Sequence, residues 1–290
     1  MRMDRRDVLK LAACACCAGT LGRAAAEEKK AVAPRVGLQL YAVRGEFEKD
    51  SIATIKKAAA LGYQGVEFWG YGGTPTVYKD VKPKDVRALL DSLGIACCGI
   101  HMAPEAILDD KLPTTIDVNK TLGNKFLIVA AAADRMRAPD SIARFAATLD
   151  KAAEKASAHG MRVGYHCHGF DFQKFDGRTG WDILFSATKP EVVMQVDTGN
   201  CAGGGGDPVA ILKKFPGRAT TLHVREFANA PLVKDNAVWK EIFALCAVKP
   251  RTEWFIVEQG GENGLGFDDV KRCRESLKAM LSGMLSGDSH

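Results

Sequence analysis

From residue 35 onward, short runs of apolar and β-branched residues alternate with longer stretches whose apolar positions recur every three or four residues. The short runs predict eight strands: Val36–Tyr41, Gly65–Phe68, Ile95–His101, Phe126–Ala130, Arg162–His166, Val192–Asp197, Thr220–Val224 and Trp254–Glu258. They are mostly apolar, as expected of a parallel sheet covered on both faces. Between them, Ser51–Leu61 places Ile52, Ile55, Ala58 and Ala59 on one helical stripe. Pro83–Leu93 does so with Val86, Leu89 and Leu90, and Ser141–His159 with Ile142, Phe145, Leu149 and Ala152. Gly62, Gly94 and Gly160 follow directly, where a left-handed residue would end each helix. The strand starts are about 30 residues apart, the length of one strand-helix unit. Eight such units close most simply into a single-domain (β/α)8 TIM barrel over residues 35–285, with a last helix at Val270–Leu285 and a short tail at 286–290. An open doubly wound sheet would place a Gly-rich phosphate loop after the first strand, and Leu40-Tyr41-Ala42-Val43-Arg44 stands there instead.

Composition agrees with one sizeable core: 290 residues, 47% of them hydrophobic. The formal net charge of +5 is unevenly placed. Arg2, Arg5, Arg6, Lys10 and Arg23 against Asp4 and Asp7 put +3 on residues 1–26 and leave about +2 on the body. A nearly neutral body gives no electrostatic case for nucleic acid or an anionic membrane. Residues 1–26 resemble a bacterial twin-arginine signal: Arg5-Arg6, a modest apolar run from Leu11 to Leu21, and the small triplet Ala24-Ala25-Ala26 for cleavage. Residues 27–34 then form a linker. The apolar run is too short for a stable bilayer-spanning helix, so no stable membrane anchor is expected. Leu11-Ala12-Ala13-Cys14 also fits a lipid-attachment motif, but Lys10 leaves it little apolar lead. The signal implies the twin-arginine export machinery as a partner, folding before translocation, and a periplasmic or cell-envelope location. Six cysteines follow the signal, at 97, 98, 167, 201, 246 and 273; they form no CxxC pair and read as small buried hydrophobes.

A barrel enzyme carries its chemistry just after its strands. Polar, metal-capable residues gather at those positions. His101 closes the third strand, His166 and His168 the fifth, and His223 lies near the end of the seventh. Glu67 stands in the second strand, Asp197 ends the sixth, Glu226 follows the seventh and Glu258 ends the eighth. Glu67, Asp197 and Glu258 follow apolar residues, where a charge is costly unless paired or bound to metal. Mixed imidazole and carboxylate ligation suits Mn, Fe, Co, Ni or Zn better than Ca.

At these residues the chain resembles the xylose-isomerase-like barrel superfamily, the sugar phosphate isomerases/epimerases. The resemblance runs from about Val36 to Glu258. It is carried by Val36-Gly37-Leu38-Gln39-Leu40-Tyr41-Ala42-Val43-Arg44, Gly62-Tyr63-Gln64-Gly65-Val66-Glu67-Phe68, Tyr165-His166-Cys167-His168, Val196-Asp197-Thr198-Gly199-Asn200, Leu222-His223-Val224-Arg225-Glu226 and Val257-Glu258-Gln259. It implies one divalent ion (Mn, Co, Zn or Mg) held by His166, Asp197, His223 and Glu258, with either His166 or His168 as the fifth-strand ligand. The better-known ketose epimerases of this group carry a glutamate on the fifth strand, which pairs with the eighth-strand glutamate. His166 stands there in this chain, so the two-carboxylate device is not simply inherited. Related barrels often form homo-oligomers.

The chemistry implied is abstraction of a carbon-bound proton beside a metal-polarised carbonyl of a small carbohydrate. Glu258, His101, Glu67 and His168 are candidate bases. Gln39, His168 and Arg225 are placed to contact substrate oxygens, and Trp69 and Phe170 to wall the sugar. Isomerisation or epimerisation is the leading expectation. A lyase or hydratase on keto-glycosides and a non-catalytic carbohydrate-binding barrel are the alternatives. An endonuclease of the same superfamily would carry a further histidine where Asn200 stands.

Overall fold

A computed structural model describes residues 34–227, 231–232, 236–260 and 265–285, with side chains as far as residue 282. The signal-like segment 1–26, the linker as far as residue 33 and the tail 286–290 lie outside the described residues. Eight parallel strands close into a barrel: β1 (Arg35–Gln39), β2 (Gly65–Tyr71), β3 (Ala96–Met102), β4 (Phe126–Val129), β5 (Arg162–His166), β6 (Val193–Asp197), β7 (Thr221–Val224) and β8 (Trp254–Val257). Ring closure pairs β1 with both neighbours, Leu38 lying opposite Val257 on one side and Val66 on the other. The result is a single α/β domain of TIM-barrel form.

Several boundaries differ from the sequence expectation. β1 stops at Gln39, because the Gln39 side chain accepts the Tyr41 N–H and starts a 3-10 turn over Leu40–Val43. β2 continues to Tyr71, and β8 ends one residue before Glu258. The helix after β4 spans Pro139–Ser157, with proline in its first turn where a missing N–H costs nothing. Gly94 ends the Pro83–Leu93 helix in the left-handed region at φ 66°. Ile52 leaves the expected stripe and is exposed, whereas Ile55 and Ala58 are buried. A two-stranded hairpin, Lys174–Phe175 with Arg178–Thr179, decorates the loop after β5.

The core has two parts. The larger lies between strands and helices and takes in Leu38, Val66, Leu127, Val163, Met194, Leu222 and Phe255. The smaller fills the lower barrel with Cys98, Phe126, Ile128, Val193, Trp254 and Ile256. Room for these bulky groups comes from glycine two strands away around the barrel: a Cβ at Gly65 would lie 2.7 Å from the Trp254 ring, and one at Gly37 2.8 Å from Cys98 Sγ. All six described cysteines are free and buried. No helix among the described residues is long and apolar enough to cross a membrane.

Candidate metal centre

Side chains alternate along a strand, so residues two apart share a face. On β6, Val193 belongs to the lower barrel cluster, and Gln195 and Asp197 follow at the same phase. Trp254 and Ile256 on β8 likewise lead to Glu258, and Thr221 on β7 leads to His223. The C-terminal half of the barrel interior is therefore polar, and every one of these polar side chains is buried.

Donor atoms of His166, Asp197, His223 and Glu258 all lie within 4.8 Å of one another. His223 Nδ1 is 2.7 Å from Glu258 Oε2, and His166 Nε2 is 3.7 Å from the same oxygen. Asp197 divides its oxygens. Oδ1 accepts the Asn200 N–H at 2.7 Å and caps the short helix Thr198–Gly203. Oδ2 is buried with no hydrogen-bond partner and stands 3.8 Å from Arg225 Nη1. An orphaned carboxylate oxygen is expensive in a buried setting, and a cation beside it removes the cost. Two imidazoles and two carboxylates suit a first-row divalent ion, so the residues present fit such a group.

Glu67 stands behind this cluster. Its Oε2 lies 2.6 Å from His223 Nε2 and accepts from Gln39 Nε2 at 2.8 Å; its Oε1 accepts from Gln195 Nε2 at 3.1 Å. The side chain lies across Gly99, where a Cβ would come within 2.1 Å of Oε1. A carboxylate that grips the far nitrogen of a metal-ligating histidine fixes the ring's orientation. Gln39 is fully buried beneath Glu67 and bonded at both ends of its amide. Glu67 was expected as a candidate base and Gln39 as a contact to substrate oxygens; the structure brings Glu67 onto His223 directly and Gln39 onto it through Glu67.

His101 is buried against the cluster, its ring parallel to that of His223 at 5.0 Å between centroids. His168 sits further out, 5.1 Å from the His166 ring and stacked on Phe170 at 5.5 Å. Its Nδ1 is buried without a partner. Trp69, within β2, is half-buried among Tyr41, Phe47 and Tyr78. Arg225 donates to Asn200 Oδ1 at 2.6 Å and to the Gly260 carbonyl at 2.9 Å. Its alkyl stem occupies the space that a side chain at Gly199 would need.

The sequence model of the xylose isomerase-like TIM barrel family matches residues 55–282. The chain belongs to this family. A curated relative, the 3-dehydroshikimate dehydratase of Pseudomonas aeruginosa, is 25% identical over 201 residues. That match takes in 65% of this chain and 30% of the relative, so the chain spans less than a third of that protein. Among solved structures, a sugar phosphate isomerase/epimerase from Parabacteroides distasonis superposes with a TM-score of 0.72 at 20% identity, covering 86% of this chain and 96% of that one. A D-psicose 3-epimerase from Clostridium cellulolyticum gives 0.60 at 16% identity, covering 85% and 98%. At these identities the likeness carries the fold alone.

Within this xylose isomerase-like barrel the electrostatics follow from burial and pairing. Burial alone would lower the His223 pKa, but the carboxylates of Glu67 and Glu258 on either side raise it to about 10. Burial would raise Glu258, and His223 beside it reverses the direction and holds it low. Burial, with Glu258 nearby, raises Asp197. Burial among neighbouring imidazoles holds His166 well below the usual histidine range. The neutral ring is the form that ligates a metal.

Sequence reasoning passed over Gln195 and Asp171, and weighed Asn200 only as the place where an endonuclease would carry a histidine. Gln195 is fully buried and bonded at both ends of its amide. The available signal was a polar residue two positions before Asp197 in the otherwise apolar run Val192-Val193-Met194-Gln195-Val196. Asn200 bridges Arg225 and the Cys167 carbonyl. Asp171 accepts from Tyr165 Oη and the His168 N–H, fixing the turn that carries His168.

Proposed function

We propose that this barrel is a metal-dependent enzyme that isomerises or epimerises a small polyhydroxylated carbonyl compound by moving a carbon-bound proton. The observation that supports it is the four-donor cluster at the strand ends, with Asp197 Oδ2 left without a hydrogen bond inside it. His166, Asp197, His223 and Glu258 would hold one divalent ion, whose chemistry when bound is Lewis-acid polarisation of a carbonyl and its adjacent hydroxyl. Glu258 is the base in this reading. Of the four it is the most exposed, and His223 keeps it ionised. His168 at the rim is the second proton carrier; burial keeps its ring neutral near pH 7. Arg225, tethered by Asn200, orients a substrate oxygen, while Trp69 and Phe170 wall the sugar and limit water. Glu67 and Gln39 act behind these groups by holding His223. Residues 1–26, with Arg5-Arg6, support an exported, periplasmic enzyme as part of the same proposal.

A dehydration reading has its own support. The epimerases that this chain resembles carry a glutamate where His166 stands, so one of two opposed carboxylates is missing. The curated relative is named as a dehydratase. The same base would remove the proton, and that proton would be passed to the hydroxyl on the next carbon, which leaves as water with the C–O electron pair, instead of being returned to carbon.

The deciding experiment is metal analysis by elemental mass spectrometry, followed by incubation with keto-sugars in heavy water. The proposal expects about one divalent ion per chain, lost in Asp197→Ala/Glu258→Ala, and a fall in turnover of roughly 10²–10⁴-fold from loss of the base alone. Deuterium beside the carbonyl without loss of water supports isomerisation or epimerisation. Loss of one water supports the lyase reading. A wild-type protein that takes up no Mn, Co or Zn would overturn both.

A further inference from the structure

We infer that Gln195 is a positioning residue that sets the tautomers of His101 and His166 and thereby turns the lone pair of His166 Nε2 toward the donor cluster. The tautomers follow from hydrogen bonds alone; only their consequence for metal rests on the functional proposal above.

A backbone amide N–H can only donate. The Tyr41 N–H donates to Gln39 Oε1, so the other end of that amide, Nε2, donates to Glu67. Glu67 is thus an acceptor in this network, and its Oε1 faces the Gln195 amide at 3.1 Å. That end of Gln195 must be its NH2 group, which also reaches Thr221 Oγ1 at 3.1 Å. The Gln195 oxygen then points the other way. It lies 2.7 Å from His101 Nε2 and 3.1 Å from His166 Nδ1. An amide oxygen has two lone pairs and no proton, so both facing ring nitrogens carry hydrogens.

A neutral imidazole carries one proton. With it on Nδ1, His166 presents a bare Nε2, and this is the atom that stands 3.7 Å from Glu258 Oε2. Rotating the Gln195 amide by half a turn would set oxygen against oxygen at Glu67 and reverse both rings. One uncharged side chain on β6 therefore reads an acceptor on β2 and imposes ring orientations on β3 and β5. Its own orientation is braced by Thr221 on β7.

The test uses the full chain, 15N-labelled, with imidazole tautomers read from long-range 1H–15N spectra before metal is added and His166 assigned from a His166→Asn variant. The expected result is His166 protonated at Nδ1 and bare at Nε2. Gln195→Met removes the acceptor; it should give a mixed His166 tautomer and weaken Zn2+ binding by roughly 10–100-fold, the usual effect of losing such a support. Protonation of wild-type His166 at Nε2 overturns the inference, as does a folded Gln195→Met protein that binds Zn2+ as tightly as wild type. If Gln195→Met fails to fold, the wild-type spectra decide. A wild type with the expected tautomer that takes up no metal would uphold the assignment and sink the functional proposal instead.

Discussion

The lower and upper halves of the barrel interior are built on the same strands, two residues apart, by opposite means. Below, Trp254, Cys98, Ile256, Ile128 and Val193 fill space left by Gly37, Gly65 and Gly164. Above, Glu67, Gln195 and His223 are joined through hydrogen bonds that leave few polar atoms unpaired. The lower half is held by volume, and its errors are voids or overlaps. The upper half is held by donor–acceptor matching, and its errors are orphaned polar atoms. Both halves are equally buried, so burial alone does not tell structural from chemical positions. The kind of complementarity does.

The strongest way to break this comparison is Trp254→Ala. It should cost about 3–5 kcal/mol of stability, as large aromatic truncations do, while leaving metal stoichiometry unchanged in the folded protein. Chemical denaturation with metal analysis would show it. Loss of metal at that site would mean that the two halves are not independent. Next in size is metal itself. At a free concentration one hundred times its Kd, Zn2+ should stabilise wild type by about 2.7 kcal/mol, Trp254→Ala by the same increment, and Asp197→Ala/Glu258→Ala not at all. Smallest is Gly65→Ala, which overpacks the Trp254 ring and should cost about 1–3 kcal/mol. Combined with Trp254→Ala, its cost should shrink, because the new methyl enters vacated space. Strict additivity would show that the ring is not what Gly65 accommodates.

Much of this was legible in sequence because strand and helix periods differ. The eight apolar runs marked the eight strands, and charges at their ends marked the polar half. The strand-5 choice between His166 and His168 was not legible: both have the same phase, and only the bend after β5 moves His168 out beside Phe170. Nor was the depth of Glu67. A glutamate beside a turn of the chain and a glutamate beneath a histidine look alike in one dimension. Gln39 shows the same limit. Its amide ends β1 and supports Glu67 at once, and no local pattern encodes the second task.

Asp197 carries a longer consequence. One of its oxygens belongs to the architecture, as the cap of the helix Thr198–Gly203, and the other faces the donor cluster. An asparagine there would still offer a cap oxygen and would give up the charge. For a lineage of such barrels, folding and chemistry are therefore separable at a single atom. A descendant could shed the reaction in one mutational step, keep its scaffold, and be free to acquire another use.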